Sequence, residues 1–351
     1  MALACGLLAL GPRAGAVIFF ATEDPAHNTT EPVGALAGSG WQYQGQWLGF
    51  LGTPIAPDLF ISTTHIGGQP GDLFHFDGRT YPALEAYHDE VTDLVIFKVC
   101  GTFPRFAPLY ETSDEAGKLM VLIGRGAPRG APVVLTNGTQ QVLKGWLWGG
   151  GDGIQRWGVN RVTGAIDLGP GLGGVLKAAF DADGEAEEAC LAGGDSAGAV
   201  FIQRGAAWQL AGINLAVDGP YNYTNSGPGF FAALFDEGGL FTGDEGDWQK
   251  VVDTVANRPM GFYATRISER LAWIQDIIAL HGGGQTLPVV QTASKVNGPF
   301  TPDPDAIVDP DARTVTVAPA AKNGFFRLTS CSALRITTIT IRGGQVVLGY
   351  E

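Results

Sequence analysis

The sequence predicts an all-β protein, and three observations carry that reading. Glycine occupies 52 of 351 positions, far more than a helical domain tolerates in its element interiors. Apolar runs are short and end in Gly, Pro, Asp or Asn, the punctuation of strands joined by tight turns. Only one stretch, around residues 268–282, carries the 3.6-residue period of an amphipathic helix. A chain this long buries an ample core and has room for two domains.

Taken in order, Ala2 to Leu10 is apolar and short, and small residues follow at Ala14-Gly15-Ala16. This reads as a signal peptide over residues 1–16, although a basic start is missing, with Val17-Ile18 opening the mature chain. Trp47 to Phe60 reads as two short strands broken by a Pro/Gly turn, leading into Ser62-Thr63-Thr64-His65. Asp93 heads the apolar run Leu94–Val99, whereas its neighbours Asp89 and Glu90 are placed on a solvated loop. Ala199–Gln203, the turn Arg204-Gly205 and Trp208–Ile213 read as strand, turn, strand. The segment Asp218–Asn257 is rich in glycine, acids and aromatics such as Tyr221, Tyr223, Phe230 and Phe231; it either overhangs a cleft or forms a surface loop. The predicted helix has Ser268 as cap, Glu269 at its N-terminus, a stripe of Leu271, Ile274 and Ile278, and Gly282 as its end. Residues 283–305 read as a Gly/Pro/polar linker. Residues 306–351 read as a small β module with strands at Thr314–Val317, Phe325–Leu328, Leu334–Ile341 and Gln345–Leu348, and a hairpin turn at Gly343-Gly344.

The chemistry centres on Gly193-Gly194-Asp195-Ser196-Ala197-Gly198-Ala199. A serine hydroxyl is a weak nucleophile until a base takes its proton and a third group orients that base. Of the five histidines, His65 alone sits at the end of a strand–turn–strand unit; His75 and His88 have no comparable context. Asp93 supplies a carboxylate at the mouth of a buried strand, a costly position unless it is paired. The chain order is therefore His65, Asp93, Ser196.

These residues resemble the trypsin-like serine proteases, over residues 17–281. Thr63-Thr64-His65 is similar to that family's Ala-Ala-His, Asp93–Val99 to its Asp-Ile-Ala-Leu-Leu-Lys-Leu, and Gly194–Gly198 to its Gly-Asp-Ser-Gly-Gly. Arg258–Tyr263 and Trp273-Ile274 resemble the family's run before and pair within its terminal helix. The resemblance implies two six-stranded antiparallel β-barrels with a C-terminal helix, a protease domain over residues 17–282, and a protein or peptide substrate handled by a monomer. It implies Ser196 as nucleophile, His65 as base, Asp93 as orienting group, and the Gly194 and Ser196 N–H groups as oxyanion hole. It also implies a substrate pocket at Cys190, six residues before the serine, and at Leu215, Ala216 and Val217. A neutral Cys190 would favour uncharged side chains, unless Glu187 or Glu188 approaches the floor instead. Asp195 would be neutralised by the α-amino group of Val17, or else by another basic group or local amides. Ala197 and Ala199 depart from the family's glycine and proline; the methyl at 197 is tolerable if its φ is negative.

Two other readings compete. Gly194, Ser196 and Gly198 also match the Gly-x-Ser-x-Gly elbow of α/β-hydrolases, and His281-Gly282-Gly283-Gly284 has the letters of an esterase oxyanion motif. That motif follows the serine instead of preceding it, and an elbow feeds a helix where strands are expected here. The second is a protease-shaped binding protein without turnover. The net charge of −13 argues against nucleic acid and anionic membranes. No Cys/His spacing suits a metal, Asp181-Ala182-Asp183-Gly184 lacks the rest of a calcium loop, and no cofactor is expected. Cleavage would leave Cys100, Cys190 and Cys331, a sparse set suited to a bacterial enzyme exported to the periplasm or beyond.

Overall fold

The computed structural model describes residues 16–283, 287–318, 324–331 and 334–351. The signal-peptide expectation for residues 1–16 lies outside them except for Ala16, which is fully buried. Among the described residues no helix is long and apolar enough to cross a membrane. The chain divides into two compact units, Met1–Val99 with Phe103–Gly283, and Cys100–Thr102 with Gly284–Glu351.

The first unit contains two closed, antiparallel, six-stranded barrels. In the first barrel the order around the wall is Gly45–Trp47, Phe50–Ala56, Leu59–Thr63, Leu94–Val99, Arg79–His88 and Leu73–Phe76. Its interior is aromatic: Trp47, Phe60, Phe74 and Phe97 are wholly buried, and the rings of Phe60 and Phe74 stack with centroids 4.1 Å apart. Each such side chain contributes about 1.5–3 kcal/mol by leaving water. The second barrel runs Arg156–Asp167, Gly174–Ala179, Gly261–Arg266, Ala207–Val217, Ala199–Arg204 and Leu119–Gly124. The helix Leu271–His281 follows its last strand, with Ile274 buried. Closure removes the sheet edges that short strands would otherwise expose.

A single apolar cluster joins the barrels. Ile61, Leu94 and Ile96 of the first lie with Val121, Ile123, Phe201 and Ile213 of the second, and the helix adds Ile274. Ion pairs reinforce it: Asp89 is buried and takes a two-pronged guanidinium contact from Arg270, 2.7 Å at both oxygens. That corrects the expectation of a solvated loop at Asp89. Ser268 does not cap the helix; its hydroxyl donates to Glu115 at 2.5 Å instead, and Arg270 occupies the capping position, its side chain making no capping bond. The buried Glu115 also binds Arg266 and outcompetes the backbone for that hydroxyl.

The Asp218–Asn257 segment is tied to the fold by short strands. Ala232–Leu234 pairs with Gln140–Trp148, and Tyr221–Asn222, Phe241–Thr242 and Gln249–Lys250 form a small sheet. Lys144, 3% exposed, anchors the segment by bonds to Asp236 at 2.5 Å and Asp253 at 3.2 Å.

In the second unit, the expected linker over residues 283–305 contains structure. Val289–Ala293 pairs with Thr301–Pro302 and with Phe325–Thr329. Its partner strand is remote in sequence, so local composition concealed it. The four-stranded sheet Ile307–Asp309, Thr314–Val317, Gln345–Tyr350 and Ile336–Arg342 completes the unit, with Val290, Val315, Val317 and Leu348 buried.

Replacing Lys144 with Met strands the Asp236 carboxylate without its cation, a change that costs about 3 kcal/mol or more. Urea unfolding is expected to show that loss, and the double variant Lys144→Met, Asp236→Asn to recover part of it.

Candidate active site

The strand pairing brings the first two candidate residues together. Thr63 stands opposite Leu94, so the residues just beyond, Thr64-His65 on one strand and Asp93 on the other, meet at the barrel end. The Thr64 N–H donates to the Asp93 carbonyl at 2.6 Å, and the His65 N–H to Asp93 Oδ1 at 3.0 Å. Asp93 Oδ2 accepts from His65 Nδ1. That bond places the ring proton on Nδ1 and leaves Nε2 as the acceptor. Nε2 lies 2.8 Å from Ser196 Oγ, 131 residues further along the chain. The imidazole is 26% exposed and the Asp93 side chain 11%, so the serine end is open and the carboxylate end covered.

Ser196 is held by a turn with few degrees of freedom. The Ala197 N–H donates to the Asn214 carbonyl at 3.1 Å and the Gly198 N–H to the Asp195 carbonyl at 3.1 Å. The buried Asn214 amide donates to Ile123 and Asp195 carbonyls, at 2.9 and 3.1 Å. Asn214 is the positioning residue that the sequence reading missed; its role depends on contacts 19 and 91 residues away, which no local motif encodes. Gly194 has φ +97°, a conformation that L side chains rarely adopt. Among the described residues neither the Gly194 nor the Ser196 N–H has an intramolecular acceptor, leaving two donors beside the hydroxyl. Ala197 has φ +61°, contrary to the negative value expected for a methyl there. The turn therefore stores strain of about 1–2 kcal/mol.

Asp195 is wholly buried. Its Oδ1 accepts from the Gly126 N–H at 2.6 Å and the Val17 N–H at 3.2 Å, and its Oδ2 from the Ala192 N–H at 2.8 Å. Gly126 is required by the close approach, because a Cβ there would fall 2.6 Å from the Asp195 nitrogen. Burial outweighs these amides and pushes the carboxyl up to about 7. Among the described residues no cation bonds to it; Val17 reaches it through a neutral peptide N–H.

The candidate pocket residues are enclosed. Cys190 is fully buried across from Ile18, and burial pushes its thiol up. Leu215 and Val217 are buried on the Ala207–Val217 strand, and Ala216 is half-buried opposite Tyr263. Glu187 bonds His27 and Asn28, at 2.6 and 3.1 Å. Glu188 is buried against Asn160, and burial raises it to about 7. The esterase constellation does not assemble: the residues after Ser196 form a strand, and the His281 ring stacks on Tyr87 with centroids 4.2 Å apart.

Two closed six-stranded barrels followed by a terminal helix are the chymotrypsin-type architecture. The fold is of that type. No family model and no curated protein matches the chain. Among solved structures, an inactive mutant form of Rv3671c from M. tuberculosis H37Rv covers 73% of this chain and 100% of its own, at 15% identity and TM-score 0.37. Neuropsin, a serine protease of mouse brain, covers 69% and 96% at 11% identity and TM-score 0.40. A mutant of human heparin binding protein covers 71% and 96% at 13% identity and TM-score 0.41. Likenesses at these scores carry no weight for function; the distances around Ser196 do.

Replacing Ala197 with Gly is expected to raise the unfolding free energy by up to about 1 kcal/mol, since the strained φ is lost. Chemical denaturation of the two proteins checks this; an unchanged or lower stability would contradict the strain.

Proposed function

We propose that this protein is a serine endopeptidase working through His65, Asp93 and Ser196. The observation that carries the reading is the 2.8 Å contact between His65 Nε2 and Ser196 Oγ, with Asp93 bonded to the opposite ring nitrogen. As Oγ attacks the scissile carbonyl, its proton passes to Nε2, and the Asp93 carboxylate stabilises the imidazolium and keeps the ring oriented. The carbonyl oxygen becomes an oxyanion in reach of the Gly194 and Ser196 N–H groups, two donors already fixed by the turn. The imidazolium then protonates the leaving amine, an acyl-enzyme remains, and water repeats the sequence in reverse.

The buried Asp195 adds a requirement for activation. An α-amino group at Val17 would stand where a peptide N–H now lies 3.2 Å from Oδ1, replacing a neutral donor by a cation. Export and removal of the residues before Val17 fit this chemistry. The neutral Cys190, with Glu187 and Glu188 both engaged elsewhere, supports preference for uncharged residues at the cleaved bond.

A fluorophosphonate probe is expected to label Ser196, and labelling to vanish in Ser196→Ala. His65→Ala is expected to lower peptide turnover by about 10⁴-fold or more, and Ala or Leu chromogenic peptides to be cut faster than Arg ones. A correctly processed protein that neither labels nor cleaves would instead be a binding protein with a protease shell.

A carboxyl raised to about 7 when folded and near 3.8 when unfolded binds its proton more tightly in the native state. Its contribution is complete below pH 4 and is lost as pH rises through 7, by about 4 kcal/mol at most. A form beginning at Val17 pairs the carboxylate with its amine and escapes that loss. Urea unfolding of the two forms between pH 4 and 8 should diverge; parallel curves would refute the pairing.

A further inference from the structure

An open cavity of about 420 Å³ is lined by residues of the first barrel, Gln46, His75 and Arg79 among them, and by Arg125 and Gln155, which adjoin strands of the second. Its relation to Ser196 follows from strand order. The Ala199–Arg204 strand, which begins just after Ser196, has Ala207–Val217 on one side and Leu119–Gly124 on the other, and Leu119–Gly124 in turn neighbours Arg156–Asp167. Arg125 directly follows Leu119–Gly124, and Gln155 directly precedes Arg156–Asp167. The cavity is therefore on the flank of Ser196 opposite the strand carrying Leu215–Val217. It is also close: Gly126 and Ala127 donate to Asp195 and to the Gly193 carbonyl, at 2.6 and 2.9 Å, clamping the Arg125 segment to the turn of Ser196.

The charges in this cavity are unbalanced. Arg125 donates to the Gly49 carbonyl at 3.1 Å, and among the described residues neither Arg125 nor Arg79 is in an ion pair. The acids are committed, including Asp77, which itself lines the cavity. Asp77 holds Arg105 at 2.5 Å, and Asp152 holds Arg156 at 2.6 and 3.1 Å while adding only a weaker attraction for Arg125. The remaining titratable liner, His75, is bonded to Thr80 at 3.0 Å. In a chain of net charge −13, the half-buried Arg125 and the exposed Arg79 share one cavity without carboxylate partners, and guanidinium groups are the donors best suited to a carboxylate.

We propose that this cavity binds a carboxylate on the leaving-group side of the scissile bond, with Arg125 and Arg79 as its specificity-determining residues. The proposal rests on the serine-peptidase reading for the direction of the chain through the site. Both an acidic side chain and the free C-terminus of a short leaving peptide offer that group.

The test uses amidated peptides of one acyl-side sequence that carry Glu, Gln or Lys at the second residue after the cleaved bond. A fourth peptide has Ala there and ends at that residue with a free carboxylate. The Glu peptide is expected to show kcat/KM at least about tenfold above Gln, with Lys lowest, because one charge-assisted hydrogen bond is worth that factor. The ratio should fall with added salt and approach one in Arg125→Gln or Arg79→Gln. If the fourth peptide matches Glu, the cavity accepts a terminal carboxylate; if it matches Gln, it reads a side chain. Binding of the same peptides to Ser196→Ala, followed by fluorescence anisotropy, keeps the inference separate from catalysis. Equal Kd values for Glu and Gln, or a preference that survives both arginine variants, would overturn it. Selective binding without turnover in the correctly processed protein with Ser196 intact would leave the anion site standing and remove the peptidase reading.

Discussion

Everything at the site depends on the apolar seam between the barrels. The imidazole and its carboxylate belong to one barrel and the serine to the other, so the 2.8 Å between Nε2 and Oγ is a distance between two independently closed sheets. Close packing fixes such distances because interiors resist small displacements. The seam reaches the site itself: Ala197 and Ala199, just after the serine, are buried in the same cluster as Ile61, four residues before His65, and Leu94, next to Asp93. A loss of packing anywhere along it would be felt at the hydrogen bond.

The same economy explains why the turn tolerates strain. A left-handed Ala197 and a buried, uncharged-partnered Asp195 are both unfavourable taken alone. They persist because Asn214, Gly126 and the Ala192 N–H over-determine the backbone. The outcome is two amide donors, at Gly194 and Ser196, without an intramolecular acceptor among the described residues. The cavity at Arg125 extends the same segment: Arg125 lines it while the next residue binds Asp195.

Much of this was legible in the sequence, for identifiable reasons. His65, Asp93 and Ser196 each stand at a strand end with local context, and strand register does the rest. The strands, including those at the C-terminus, follow from short apolar runs and Gly/Pro turns, whereas closure into two barrels was implied by the resemblance to trypsin-like proteases. The misreadings share another cause. Asp89 looked solvated because its partner Arg270 lies 181 residues away. Ser268 looked like a cap because Glu115, 153 residues distant, was invisible. The strand Val289–Ala293 looked like linker because it pairs with Phe325–Thr329. A pattern scan sees neighbours in the chain, whereas these features are set by neighbours in space.

The most direct test of the account is a crystal structure of the protein soaked with a peptide boronic acid. The account predicts a covalent bond from Ser196 Oγ to boron, one boronate oxygen about 3 Å from both the Gly194 and Ser196 nitrogens, and His65 Nε2 within hydrogen-bonding distance of another. An unmodified serine under saturating compound, or an adduct whose oxygen points away from those two amides, would contradict it.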